Sequence, residues 1–197
     1  MVQHNFGYET LGDAGYSIEN VIHGSVFTIT EAGTADSITV GCTYGTGTWT
    51  GKIKCAIYLH SDLSRVGVTD ERTVTLTSIP AWYTFDFSGT KPSLLATTAY
   101  ILVAWAEDVT NGAYIRYNTG DTNQGHYQSA TYGTFPNPLA PTHLNKVHSI
   151  YCTYTVAGAG VTVKKGSNLA ATMTEMLNSK MLFSACNRFP KLTTRRF

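Results

Sequence analysis

The residues with chemistry to offer crowd into one stretch. Tyr114, Tyr117, Tyr127, Tyr132 and Phe135 stand among Asp121, Asn123 and Gln124. Sugar rings carry apolar C–H faces that stack on aromatic rings, while their hydroxyls need amides and carboxylates nearby. This mixture is what a glycan site would require. The competing reading is that the rings pin a long loop to the body of the protein. Asp121, Asn123 and the carbonyls around Gly120 could also ring a structural Ca²⁺, a hard cation that takes several oxygens, although their spacing is not that of an EF-hand. No other cofactor is implied.

Other chemistries are poorly served. His126, His143 and His148 fall in one region but lack Cys or acidic partners at ligand-like offsets, so they read as ordinary surface or core residues. His60, Ser61 and Asp62 are contiguous, whereas a triad draws its groups from separate elements. No GxSxG, HExxH, P-loop or dinucleotide-binding glycine pattern occurs. The neighbouring acids Asp70/Glu71 and Glu107/Asp108 read as solvated charges at strand ends. The expectation is a protein that is not an enzyme.

A second set of residues points to assembly. From Ser167 to Phe189 the period becomes helical, with Leu169, Met173, Met176, Leu177 and Met181 recurring at three and four residues. Thr172 and Glu175 have capping-box spacing, and Pro190 ends the run. Met173, Met176, Leu177, Met181 and Phe183 would form an adaptable apolar face, with Arg188, Arg195 and Arg196 at its basic end. A lone helix of this length must bury its stripe on something. Another protein subunit, in a homo-oligomer or particle, is the favoured partner; the chain's own body, a membrane surface and nucleic acid rank behind it.

Charge supports that division. Residues 158–197 hold seven Lys/Arg against the single acid Glu175, a net +6, so residues 1–157 carry −5 of the chain's total of +1. Such a segment docks on acidic surfaces. The joint between the parts is Ala157–Gly160, AGAG, giving a body over 1–157 and a basic helix and tail over 158–197.

The elements that must position these residues are strands. Twelve Tyr, eight Phe, three Trp, 18 Gly and abundant Thr suit many short strands joined by tight turns. Ala99–Asp108 contains an unbroken apolar run, Ile101 to Trp105, too short for a buried helix. It must lie mid-sheet, under a second layer. In KIKCAIYLH, Ile53, Cys55, Ile57 and Leu59 alternate with Lys52, Lys54, Tyr58 and His60, so one face meets the core and the other meets solvent or a ligand. Ile150, Cys152 and Tyr154 alternate likewise near the end of the body. Strands are also expected at Phe6–Tyr8, Ile22–Thr30, Ser37–Cys42, Thr73–Thr77, Trp82–Phe87 and, after the Asn111-Gly112 turn, Ala113–Tyr117. TYGTGTWTG reads as a hairpin loop carrying Trp49, and 118–144 as a long loop. About ten strands in all make an all-β, two-sheet jelly-roll sandwich with a C-terminal helical tail.

Cys42, Cys55, Cys152 and Cys186 form no CxxC pair. Free core thiols are the first reading, and a Cys55–Cys152 or Cys42–Cys55 disulfide the alternative. No signal peptide is visible: the N-terminus has no basic start or apolar run, and nothing approaches the ~18 apolar residues of a span. Either a leader has been removed, or the protein is made in the cytosol and reaches a virion or extracellular surface by assembly or lysis.

The segments SITV, KCAIYLHSD with VGVTDERTV, WYTFDF, KPSLLATTAYILVAWAE and HSIYCTYTV, in this order, resemble jelly-roll modules similar to carbohydrate-binding modules. Such modules are appended to surface proteins of bacteria and archaea and to phage structural proteins. The resemblance spans roughly residues 5–156. It implies a non-catalytic sandwich that displays or binds.

Overall fold

A computed structural model describes residues 2–109 and 112–156. The AGAG joint, the expected helix with its assembly residues and Cys186 lie outside the described residues. One compact unit runs from Met1 to Gly158.

Fifteen strands are present among the described residues: β1 (Val2–Gly7), β2 (Ala14–Ser17), β3 (Val21–Thr28), β4 (Gly33–Tyr44), β5 (Thr48–Leu59), β6 (Arg65–Val68), β7 (Arg72–Thr77), β8 (Ala81–Asp86), β9 (Ser93–Leu94), β10 (Ala99–Ala106), β11 (Ala113–Thr119), β12 (Gly125–Ser129), β13 (Thr142–Leu144), β14 (Lys146–His148) and β15 (Ile150–Val156). They build two antiparallel sheets that form a sandwich. The first runs β1-β15-β4-β11-β14, with β2 on β11 and β8 and β9 on β4. The second runs β13-β12-β3-β10-β5-β6, with β7 also on β5.

The apolar run that demanded a mid-sheet position has one. β10 pairs with β3 on one side and β5 on the other. Its alternate residues Leu102, Ala104 and Ala106 enter the core between the sheets. There Ile53, Cys55 and Ile57 of β5 meet Ile38 and Val40 of β4, Phe85 of β8, and Ile150, Cys152 and Tyr154 of β15. Burying each large apolar side chain there stabilises the fold by roughly 1.5–3 kcal/mol.

The other face of β10 is covered differently from expectation. Ile101, Val103 and Trp105 pack with Ile22, Ala56 and Tyr58 under Phe135 and Leu139, so a folded-back loop is the second layer on that side. Tyr58, which alternation alone placed toward solvent or a ligand, is fully buried and donates its hydroxyl to the Pro136 carbonyl at 2.7 Å. Burial pushes its phenol pKa up.

Two more expectations need correcting. The stretch read as a hairpin loop turns only at residues 45–47, and Trp49 is a core residue of β5 whose Nε1 donates to Glu19 Oε1 at 2.7 Å. The long loop 118–144 carries β12 and β13 within it, which accounts for part of the excess over ten strands. Cys42, Cys55 and Cys152 are free and buried, and burial pushes the Cys42 thiol up to about 12.

Candidate functional site

Among the described residues, an open cleft lies where an edge of each sheet leaves a gap. β2 borders the first sheet through β11, pairing Tyr16 with Ile115. In the second sheet, β12 lies against β3 with Tyr127 opposite His23. Period-2 alternation puts Val21, His23 and Ser25 on the inward face of β3, and Tyr127 and Ser129 on the matching face of β12. Between them is a cleft of about 410 Å³, lined by Tyr16, Ser17, Val21, His23, Tyr127, Ser129 and Leu144.

Its wall is a stack of rings. Tyr16 lies on Tyr117 with centroids 4.3 Å apart and on His23 at 5.1 Å, and His23 continues to Tyr127 at 5.6 Å. Behind them His148 is wholly buried, its Nδ1 2.9 Å from Ser25 Oγ, and that hydroxyl accepts from the His148 backbone N–H at 2.9 Å. His23 is 6% exposed and its Nδ1 has no hydrogen-bond partner among the described residues. Burial holds its imidazole down at about 4 and lowers His148 as well, so both are neutral near pH 7. The wall offers neutral, polarisable surface and hydroxyls. It suits an uncharged hydroxylated or flat ligand better than an ion.

The residues singled out as a glycan site are not one cluster. Tyr127 lines the cleft, whereas Tyr117 sits behind Tyr16, with Lys146 Nζ 5.2 Å from its ring. Tyr114 is three residues from Tyr117 on the same strand, so the two point to opposite faces. Asp121, Asn123 and Gln124 form the turn into β12: Gln124 Oε1 accepts from the Asp121 N–H at 3.0 Å, and Asn145 Oδ1 accepts from the Asn123 N–H at 3.0 Å. Asn123 takes a left-handed φ of 60° there. Gln124's acceptor thus closes the turn, and no cluster of three metal-ligating side chains forms around Asp121 and Asn123 among the described residues.

Tyr132 belongs to the covering loop. Its hydroxyl donates to Glu71 Oε2 at 2.9 Å, its ring meets Trp105 edge-on at 5.2 Å, and Lys54 Nζ stands 4.4 Å over it. Lys54 also contacts Trp105 and Phe135 and donates to the Gly133 carbonyl. Burial lowers the Lys54 pKa, with Glu71 opposing. These rings hold 130–139 against the sheet. Asp62 likewise serves a turn, accepting from the Ser64 N–H at 2.9 Å.

No protein-family model and no curated protein matches this chain. Tyr16, His23 and Leu144 were not among the sequence candidates. The signal available was His23 itself, a titratable residue on an inward-facing position of an alternating strand.

Proposed function

We propose that the chain is a non-catalytic structural or display component of a larger assembly, a virion or a cell-surface layer. The sandwich is the displayed body and 158–197 the attachment to other protein subunits. The observation that carries this reading is the segregation of charge at the point where the sandwich is complete. A unit that closes its own core by Val156 carries −5, and the 40 residues after Ala157 carry +6. The inward use of Tyr132 and Phe135 supports a rigid body over a broad aromatic binding surface. The finer assignment to a jelly roll like those of carbohydrate-binding modules rests on the segments that now lie on β4, β5, β8, β10 and β15. Nucleic acid and membrane are not the partners we assign.

Removing residues 160–197 tests this. Light scattering should give an oligomer or particle for the full chain and a folded monomer for 1–159. Equal subunit numbers for both would remove the basis of the reading.

The cleft favours a second reading, a carbohydrate-binding module. Tyr127 is the sequence-nominated ring that faces an open volume, with the Ser17 and Ser129 side chains beside it. A glycan array should then show signals that Tyr127→Ala reduces by about tenfold or more, the size of one lost stacking contact. Silence across plant, microbial and host sugars would leave Tyr127 as packing.

A further inference from the structure

We propose that the cleft selects 2-acetamido sugars, a terminal N-acetylglucosamine or N-acetylgalactosamine, with His23 Nε2 donating to the acetamide carbonyl and Val21 and Leu144 receiving its methyl group. This rests on the carbohydrate-binding reading of the cleft and names the sugar class it takes. The fold sets the groups side by side. Val21 and His23 share a face of β3, two residues and so about 7 Å apart. Tyr127 stands opposite His23 on β12, and Leu144 of β13 pairs with Gly125, two residues before Tyr127. All four line the open volume of about 410 Å³, which is small for a ligand cleft and sized for a chain end rather than a long polymer.

His23 presents one nitrogen to that volume. Its Nδ1 is sealed in, out of any ligand's reach, whereas Nε2 is not sealed and belongs to the 6% of the residue that stays exposed. A neutral imidazole carries its proton on one nitrogen only, and an orphaned N–H in the interior is the rarer defect, which assigns the proton to Nε2. The ring is also held in place. Tyr16 lies on it at 5.1 Å and 5°, and Tyr127 at 5.6 Å and 18°, so the donor is aimed before a ligand arrives.

The rest of the lining selects the sugar. Beside His23 its polar side chains are hydroxyls, and it holds no carboxylate, carboxamide, lysine or arginine. A plain hexose carries a hydroxyl on most carbons, and each one buried without a partner is penalised. Replacing one hydroxyl by an acetamide lowers that demand. The methyl packs on Val21 and Leu144, the carbonyl accepts from His23, and the amide N–H donates to Ser17 or Ser129, while a C–H face of the ring stacks on Tyr127. Ser17 Oγ takes only a long contact from the Glu19 N–H, at 3.4 Å, and keeps a lone pair for this. An amino sugar without its acetyl group is a cation that meets no anion in the lining, and an acidic sugar meets no cation there.

Isothermal titration of the full chain tests the selection, comparing N-acetylglucosamine and N-acetylgalactosamine with glucose, galactose and glucosamine. The acetylated sugars should bind about tenfold more tightly or better, the size of one polar contact left unmade. In saturation-transfer NMR the acetyl methyl should receive the strongest signal. His23→Phe keeps a flat ring in the stack without the donor, and should remove most of the preference. Equal affinity for acetylated and plain sugars would overturn the assignment and leave the carbohydrate-binding reading standing, whereas no binding of any of the five would overturn both. A folded His23→Phe that keeps the wild-type preference would overturn it too, and if that variant does not fold the wild-type comparison still decides.

Discussion

Gly24→Ala should prevent the sandwich from forming. Gly24 lies in β3 between β10 and β12, opposite Val103 and His126. A Cβ there would fall on the Leu102 carbonyl oxygen, with the Leu102 carbonyl carbon and Val103 Cα both at 2.7 Å. Ordinary over-packing costs about 1–3 kcal/mol because side chains shift aside. Here the obstacle is the backbone of the central strand, whose hydrogen bonds would have to open. The expected result is loss of soluble folded protein or a cost above about 4 kcal/mol in urea unfolding. Gly89→Ala is the control, since nothing lies within 4 Å of its added Cβ, and it should stay within about 0.5 kcal/mol of wild type. Wild-type stability in Gly24→Ala would mean the β3–β10 pairing is wrong.

Acid should unfold the body well before its carboxylates are fully protonated. Burial holds His23 and His126 at about 4 and lowers His148 too. In the unfolded chain each titrates near 6.5. Above that pH neither state is protonated at these rings and the stability is fully present. As pH falls from about 6.5 to 4 the unfolded chain takes up protons that the folded one refuses. Each ring then removes up to ~1.4 kcal/mol per pH unit, roughly 3 kcal/mol over the window for His23 and a similar amount for His126. Together with His148 this rivals the ~5–15 kcal/mol of a typical domain. Urea midpoints at pH 7.5, 5.5 and 4.5 should fall steeply, and a flat profile would show that these rings are hydrated in solution.

The strands that alternate cleanly were legible from the chain alone. Ile53, Cys55 and Ile57 face the core as their spacing predicts, as do Ile150, Cys152 and Tyr154, because period-2 burial is a local property. The central place of Ile101–Trp105 was legible for the same reason. What covers its outer face was not: Phe135 and Leu139 reach it from a segment with no period, through contacts that no short window contains. Strands of two to four residues such as β2, β9, β13 and β14 are too short to show a pattern. The candidate site suffered from both effects. Tyr127 was found, but its neighbours sit more than 100 residues earlier: His23 meets it as its partner on the adjacent strand, and Tyr16 lines the same cleft from the other sheet. The separation of Tyr114 from Tyr117 was readable from their odd spacing.

The first strand and the last strand of the body lie side by side, with Val2 opposite Val156. Both ends of the sandwich therefore leave from one pole. Tension applied between them would peel β1 from β15 one bond at a time, a soft zipper, while strands deeper in the sheet feel little of the load. The same placement allows the whole body to be spliced into a surface loop of another protein, since the host's cut ends need not be drawn apart.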